Sequence, residues 1–207
     1  MNSFGEGYFE RAEGSNYTGY GDDPGWPQTL GVMIDHVGVG TKMLEIGCAK
    51  GFFVEHAMNW GYDCYGLDVS AYAIREAGRR NTEIAGRVHE GTITALPFPD
   101  EGFDTVVSWE TLEHVQPRQW RRAWAEMDRV LTAGGTMWHR IATLEKGREA
   151  EYHSDSTHVL GLSEQAWRTW FEIHDYARMQ EAETDLNLRF AGRDWAGRFF
   201  VYQKQEA

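Results

Sequence analysis

Between Lys42 and Ala142 short apolar runs alternate with longer amphipathic ones, and this alternation constrains the fold more than any other feature of the chain. TKMLEIG, CYGLDVS, RVHEGTI, FDTVVSWE and GGTMWHRIAT read as strands, and FFVEHAMNWG, AYAIREAGRRN and RQWRRAWAEMDRVL as helices. Gly61 supplies the stop of the first helix, while Trp120, Trp124, Met127 and Leu131 share one stripe of the last. FDTVVSWE is too apolar for a surface edge. LPFPDEG is a turn, and Gly134-Gly135 bounds the fifth strand. Repeated strand and helix units of this kind predict a parallel sheet covered on both faces, with right-handed crossovers and ligands at the carboxyl ends of the strands.

The flanks are different in character. Residues 1–27 contain GSNYTGYGDDPGWP, whose glycines and prolines interrupt regular structure, yet Phe4, Tyr8, Phe9, Tyr17 and Tyr20 are more than a solvated tail needs. The segment is expected to be an ordered cover packed on the body, followed by a helix over 28–37. Downstream, EKGREAEYHSDSTHV resembles a polar insertion on the substrate side, within about residues 143–162. SEQAWRTWFEIHDYARM reads as a helix capped by Ser163, and NLRFAG with GRFFVYQK as a closing pair of strands.

At 207 residues and 42% hydrophobic side chains, the whole chain (1–207) suits a single domain. A net charge of -12 makes nucleic acid a poor partner, because that affinity rests on Lys and Arg neutralising phosphates. The two cysteines, Cys48 and Cys64, make no disulfide framework and no Cys-x-x-Cys pair, which points to a reducing, cytoplasmic setting. The N-terminus lacks the basic start and apolar core of a secretion signal, and no apolar run approaches the roughly 18 to 20 residues that cross a bilayer. A soluble protein without a membrane partner is expected. Composition leaves the oligomeric state open.

In LEIGCAKGF a strand enters a turn at Gly47, where the missing side chain lets the backbone approach a ligand, and Gly51 suits close contact of helix and strand. An ordinary strand-to-helix turn has the same look. Asp68, in LDVS at the end of the next strand, adds an independent signal: a carboxylate roughly 20 residues on can accept both hydroxyl hydrogens of a ribose. An adenosine-type ligand follows. A Walker-type phosphate loop does not, since Lys50 precedes Gly51 and no Gly-Lys-Ser/Thr ending exists. Glu45 at the strand end would repel a pyrophosphate and suits an ammonium or sulfonium group, which favours a cationic ligand over a dinucleotide and disfavours a dinucleotide oxidoreductase.

On EIGCAKG, LDVS, EGTITALPFPDEGFDTVVSWETLEHV and RVLTAGG in unbroken order, the chain resembles a class I S-adenosylmethionine-dependent methyltransferase of the small-molecule type. The resemblance implies an α/β, Rossmann-like sandwich: a seven-stranded, mostly parallel sheet with an antiparallel C-terminal strand and helices on both faces. It implies S-adenosylmethionine as cofactor, with Glu45 organising the loop and the methionine amino end, Gly47, Cys48 and Gly51 along the cofactor, and Asp68 on the ribose hydroxyls with Val69 against adenine. Thr92 stands where the family often has an acid, so adenine recognition would fall to the Thr92 hydroxyl or the Ile93 backbone. Trp109 would contact the cofactor, and Tyr17 or Tyr20 would close over its methionine part.

Methyl transfer asks the protein for alignment, desolvation and, with a hydroxyl acceptor, proton removal. His114 in WETLEHV is a candidate base, though a Glu-His pair there can equally brace the following helix. Glu110 and Glu113 could orient the acceptor or be solvated acids at a helix start. YHSDSTHV gathers His153, Asp155 and His158, with Asp155 as an acceptor contact and His158 as a second base. Its spacing is not that of a zinc site, so no metal is expected. Trp120, Trp124, Trp167 and Trp170 are helix-to-core anchors, whereas the N-terminal aromatics, and after them Phe171 or Tyr176, are pocket-lining candidates. The reading is methylation of an oxygen or nitrogen of a small-molecule acceptor, such as a sugar or a biosynthetic intermediate. Its competitors are a non-catalytic S-adenosylmethionine-binding scaffold and a protein methyltransferase.

Overall fold

The computed structural model describes residues 4–15, 19–191 and 197–205. Its strands are β1 (Lys42–Ile46), β2 (Asp63–Asp68), β3 (Val88–Glu90), β4 (Phe103–Trp109), β5 (Leu131–Ala142), β6 (Tyr176–Arg178) and β7 (Gly197–Lys204). They form one sheet in the order β3-β2-β1-β4-β5-β7-β6. β1 to β5 pair in parallel, and β7 inserts antiparallel between β5 and β6. Because β2 and β4 flank β1 on opposite sides, the crossovers diverge there, and a crevice opens at the carboxyl ends of β1 and β4.

Successive strand side chains point to opposite faces, so a strand buried on both reads as a continuous apolar run. Met43, Val107, Trp138 and Val201 pack under α2 (Trp26–Val37), α3 (Phe52–Asn59) and α8 (Gln180–Arg189). Their neighbours Leu44, Val106, Met137 and Phe200 pack under α5 (Pro117–Val130) and α7 (Glu164–Glu172). Trp120 of α5 meets Trp167 of α7 edge-on at 5.0 Å between ring centroids, the anchoring role that the helical spacing of the tryptophans implied. Such a pair is worth about 0.5–1.5 kcal/mol beyond the area it buries. α1 (Glu6–Glu10) sets Tyr8 and Phe9 against Ala49 and against Ala73 of α4 (Ala71–Arg80), and α6 (Glu149–Tyr152) lies beyond β5.

Several local expectations give way. The stretch read as one helix from Ser163 stops at Glu172; Asp175 turns with φ 62°, and Tyr176–Arg178 becomes β6. NLRFAG is not a strand, since Asn187 to Arg189 finish α8, whose Ala182 and Leu186 sit one turn apart on the core face. β6 instead covers the edge that β7 would leave open. Gly134-Gly135 lies inside β5, where the pairing with β4 shifts register between Phe103 and Thr105. A Cβ on Gly135 would come within 2.9 Å of the Asp104 carbonyl oxygen, so the glycine permits this irregularity. The third strand shrinks to Val88–Glu90.

Glu183 of α8 is buried and accepts from both Arg168 (3.1 Å) and Arg178 (2.8 Å) as well as from the Val201 N–H (3.0 Å). It ties α8 to α7, β6 and β7 at once. Removing one member of a buried ion network strands the others, at about 3–5 kcal/mol. Glu183→Ala is therefore expected to lower unfolding free energy by that amount, measured by urea denaturation, while Glu164→Ala, on the exposed side of Arg168, is expected to cost under about 1 kcal/mol.

Candidate functional site

The loop after β1 is held open by three residues in the left-handed region: Gly47 (φ 77°), Ala49 (φ 47°) and Gly51 (φ 71°). A Cβ on Gly47 would run into the Thr111 side chain, and one on Gly51 would meet Ile84 Cδ1 at 2.7 Å. Gly47 therefore clears the rim, and Gly51 admits α3 to its packed position. Ala49 takes the remaining left-handed position at a cost of about 1–2 kcal/mol, and its methyl is buried beside Tyr8 and Phe9. Asp68 closes the loop from the next strand, accepting from the Ala49 N–H (2.8 Å) through one oxygen and the Ser70 N–H (2.8 Å) through the other. Burial raises the Asp68 carboxyl above its ordinary range while these two N–H donors pull it back.

These residues form one wall of a cavity of about 270 Å³. Gly47, Asp68 and Val69 line it from β1 and β2, Thr92 and Ile93 from beyond β3, and Trp109, Glu110 and His114 from beyond β4. Phe4, Tyr8, Phe9 and Tyr20 reach it from the N-terminal segment. Val69 is 45% exposed, an open apolar surface within that wall. The Thr92 hydroxyl is shared with Thr94 Oγ1 at 3.0 Å. Glu110 takes φ 51°, a costly conformation for a non-glycine residue, and Arg140 Nε holds its carboxylate at 2.8 Å.

At the far end the 3₁₀ turn Leu112–His114 meets the segment after α6. His114 Nδ1 lies 2.8 Å from Thr157 Oγ1, which lies 2.5 Å from an Asp155 oxygen; the other Asp155 oxygen accepts from the Tyr8 hydroxyl at 3.2 Å. His158 packs on His114 with ring centroids 4.8 Å apart, and its Nδ1 is 2.6 Å from the Tyr152 carbonyl oxygen. Burial, then the neighbouring His158, pushes the His114 pKa down. Glu113 is fully buried, with burial and then Glu110 holding its carboxyl well above the usual range.

A family model described as a methyltransferase domain matches residues 44–139. The chain is similar to a probable S-adenosylmethionine-dependent methyltransferase of Mycolicibacterium smegmatis, 27% identical over 149 residues, which is 68% of this chain and 55% of that protein. It also resembles a malonyl-[acyl-carrier protein] O-methyltransferase of Erwinia billingiae, 34% identical over 96 residues (46% of this chain, 37% of that protein). Residues 44–139 are a methyltransferase domain, similar to those of S-adenosylmethionine-dependent methyltransferases. A solved structure of the YcgJ protein from Bacillus subtilis shares the fold, with a TM-score of 0.66 at 20% identity over 87% of this chain and all of that one. Other matched relatives are named as methyltransferases of eEF1A and of tRNA in cattle, so the acceptor is not fixed by kinship. The chain spans about half, or less, of the length of these curated relatives.

The methyltransferase's residues fit its cofactor, S-adenosylmethionine. Asp68 ends β2 at the cavity with lone pairs to spare, Gly47 offers backbone without a side chain, and Glu45 carries a buried Oε2 with no hydrogen-bond partner. Burial, then the Asp68 charge, holds the Glu45 carboxyl well above its usual range, a state that a cationic ligand would relieve. No described helix is long and apolar enough to cross a membrane.

Of the residues singled out in the sequence, Tyr20, Gly47, Asp68, Val69, Thr92, Ile93, Trp109, Glu110 and His114 converge on the cavity. Glu45, Cys48 and Gly51 do not line it: Cys48 faces Gly66, and Gly51 faces Ile84. His158 stands behind His114, and Asp155 behind Thr157. Tyr17 lies outside the described residues, and His153 is exposed. Phe171 and Tyr176 are buried in the core beneath α7 rather than at the cavity. The N-terminal aromatics Phe4, Tyr8, Phe9 and Tyr20 line the cavity as the sequence suggested, whereas Thr157 was not singled out; its place between Asp155 and His158 in DSTH was the available signal.

Proposed function

We propose that this methyltransferase transfers a methyl group to an oxygen or nitrogen of a small-molecule acceptor, such as a sugar or a biosynthetic intermediate. The observation that carries the reading is the cavity itself. About 270 Å³ in volume and lined on one side by Phe4, Tyr8, Phe9 and Tyr20, it is close to the size of small-ligand sites. When bound, S-adenosylmethionine supplies an electrophilic methyl on a sulfonium centre. Asp68, Val69, Thr92 and Ile93 hold its nucleoside side, and Glu45 balances its positive charge through the Gly47–Gly51 loop. Tyr20 and Trp109 exclude water, which strengthens every charge interaction in the site.

His114 and Glu110 stand on the acceptor side, with His158 directly behind. Thr157 gives its hydroxyl hydrogen to Asp155, so its oxygen accepts from His114 Nδ1–H, and the His114 Nε2 is left as a lone pair. The net charge of -12 weighs against tRNA and disfavours, less strongly, a protein acceptor. Incubation with methyl-labelled S-adenosylmethionine and pooled metabolite extract is expected to label a small molecule. Label found only in the protein or RNA fraction would overturn the reading.

A further inference from the structure

Glu113, His114 and His158 can each offer one ligand atom such that the three lie within 4.8 Å of one another. Two are neighbours on the 3₁₀ turn after β4, and the third comes from a segment more than forty positions downstream. The Glu113 side chain is fully buried; one oxygen accepts from the Ala142 N–H at 2.9 Å, and the other meets no N–H donor among the described residues, only the neighbouring Glu110 carboxyl. A buried carboxylate oxygen left unsatisfied is costly, and it calls for a proton or a cation.

The two imidazoles are oriented alike. His158 Nδ1 faces the Tyr152 carbonyl, which only accepts, so Nδ1 carries the hydrogen and Nε2 is a lone pair. His114 Nδ1 faces Thr157 Oγ1, whose own hydrogen is committed to Asp155, so His114 is fixed in the same tautomer. An outer partner on Nδ1 that leaves Nε2 bare is the arrangement that orients metal-ligating histidines. The two rings meet edge-on with centroids 4.8 Å apart, and with the buried carboxyl they form a polar cluster that a shared cation would satisfy.

We infer that Glu113, His114 and His158 bind a divalent transition-metal cation beside the cavity, at the wall that His114 contributes to it. Two nitrogens and one carboxylate oxygen suit Zn²⁺ or Mn²⁺ better than Ca²⁺, which takes oxygen ligands throughout. Bonds of about 2.0–2.2 Å hold ligand atoms roughly 3–3.5 Å apart, so binding draws the three side chains together by a little over 1 Å. Three protein ligands leave a position open, as in metal sites that do chemistry rather than only hold a fold.

The consequence rests on the methyl-transfer reading. An acceptor hydroxyl on the open position gives up its proton to water more readily; its oxygen then forms the new O–C bond as the C–S bond breaks, and the electron pair stays on sulfur. The cation takes the place of a histidine base, and His114 and His158 serve as its ligands.

The test uses the full chain, stripped with a chelator, then titrated with Zn²⁺ and, for visible absorption, with Co²⁺. One Zn²⁺ per chain is expected, with the affinity lowered by about 10- to 100-fold in Thr157→Val, an outer-partner change, and by more than that in Glu113→Gln and His158→Ala. His153→Ala, an exposed histidine nearby, should be unchanged. No Zn²⁺ retention by the wild type, or retention that survives His158→Ala, would overturn the proposal. S-adenosylhomocysteine titration on the same stripped samples keeps the two ideas apart: binding there with no metal uptake leaves methyl transfer standing and removes the metal.

Discussion

Asp68→Ala is expected to weaken S-adenosylhomocysteine binding by about 100- to 10,000-fold in calorimetric titration. A buried carboxylate that accepts two ribose hydroxyls contributes about 1.5–3 kcal/mol per charged hydrogen bond, and each 1.4 kcal/mol is about tenfold in affinity. The same carboxylate receives the Ala49 and Ser70 N–H groups, so the loop loses its tether together with the ligand contact. Asp68→Asn keeps one acceptor oxygen and should fall between the variant and the wild type. An affinity unchanged in Asp68→Ala would remove the residue from the cofactor site.

The second large effect is expected from His114→Ala. Turnover of an identified acceptor should fall by about 10²- to 10⁴-fold, while S-adenosylhomocysteine affinity stays as in the wild type, because His114 enters the cavity from the turn after β4 and Asp68 from the end of β2. The split between rate and cofactor affinity is the informative part. A brace for α5 would lose stability with little specific loss of rate, whereas a group at the reacting atoms loses rate in a protein that still folds and still binds. Equal turnover in His114→Ala would return the residue to the bracing role.

The legible part of this protein was the part governed by local periodicity. Apolar runs at β1, β2 and β4 and the tryptophan stripe of α5 follow from residues adjacent in the chain, as do the Gly47 and Gly51 turns and Asp68. What escaped was decided by partners distant in sequence. Asn187 to Arg189 alternate like a strand, but β7 pairs with Tyr176–Arg178, and the α8 residues Ala182 and Leu186 already hold that segment to the core. Asp155 looked like an acceptor contact because it is acidic and lies in the insertion; Tyr8, 147 positions away, and Thr157 occupy its oxygens instead. Ala49 obscured the glycine fingerprint, yet the backbone there adopts a φ of 47° all the same. Burial of its methyl, worth about 0.8 kcal/mol for a carbon of that size, offsets roughly half of the strain of about 1–2 kcal/mol.

In the proposed arrangement Asp68 holds the ribose of the cofactor and the sulfur faces His114. A crystal structure of the protein with S-adenosylhomocysteine tests it most directly. The expected result is the ribose hydroxyls on the Asp68 carboxylate, the adenine beside Val69 and Ile93, and the thioether sulfur facing His114 and Glu110. A ligand bound outside this cavity, or one seated in it with the sulfur turned away from His114, would contradict it.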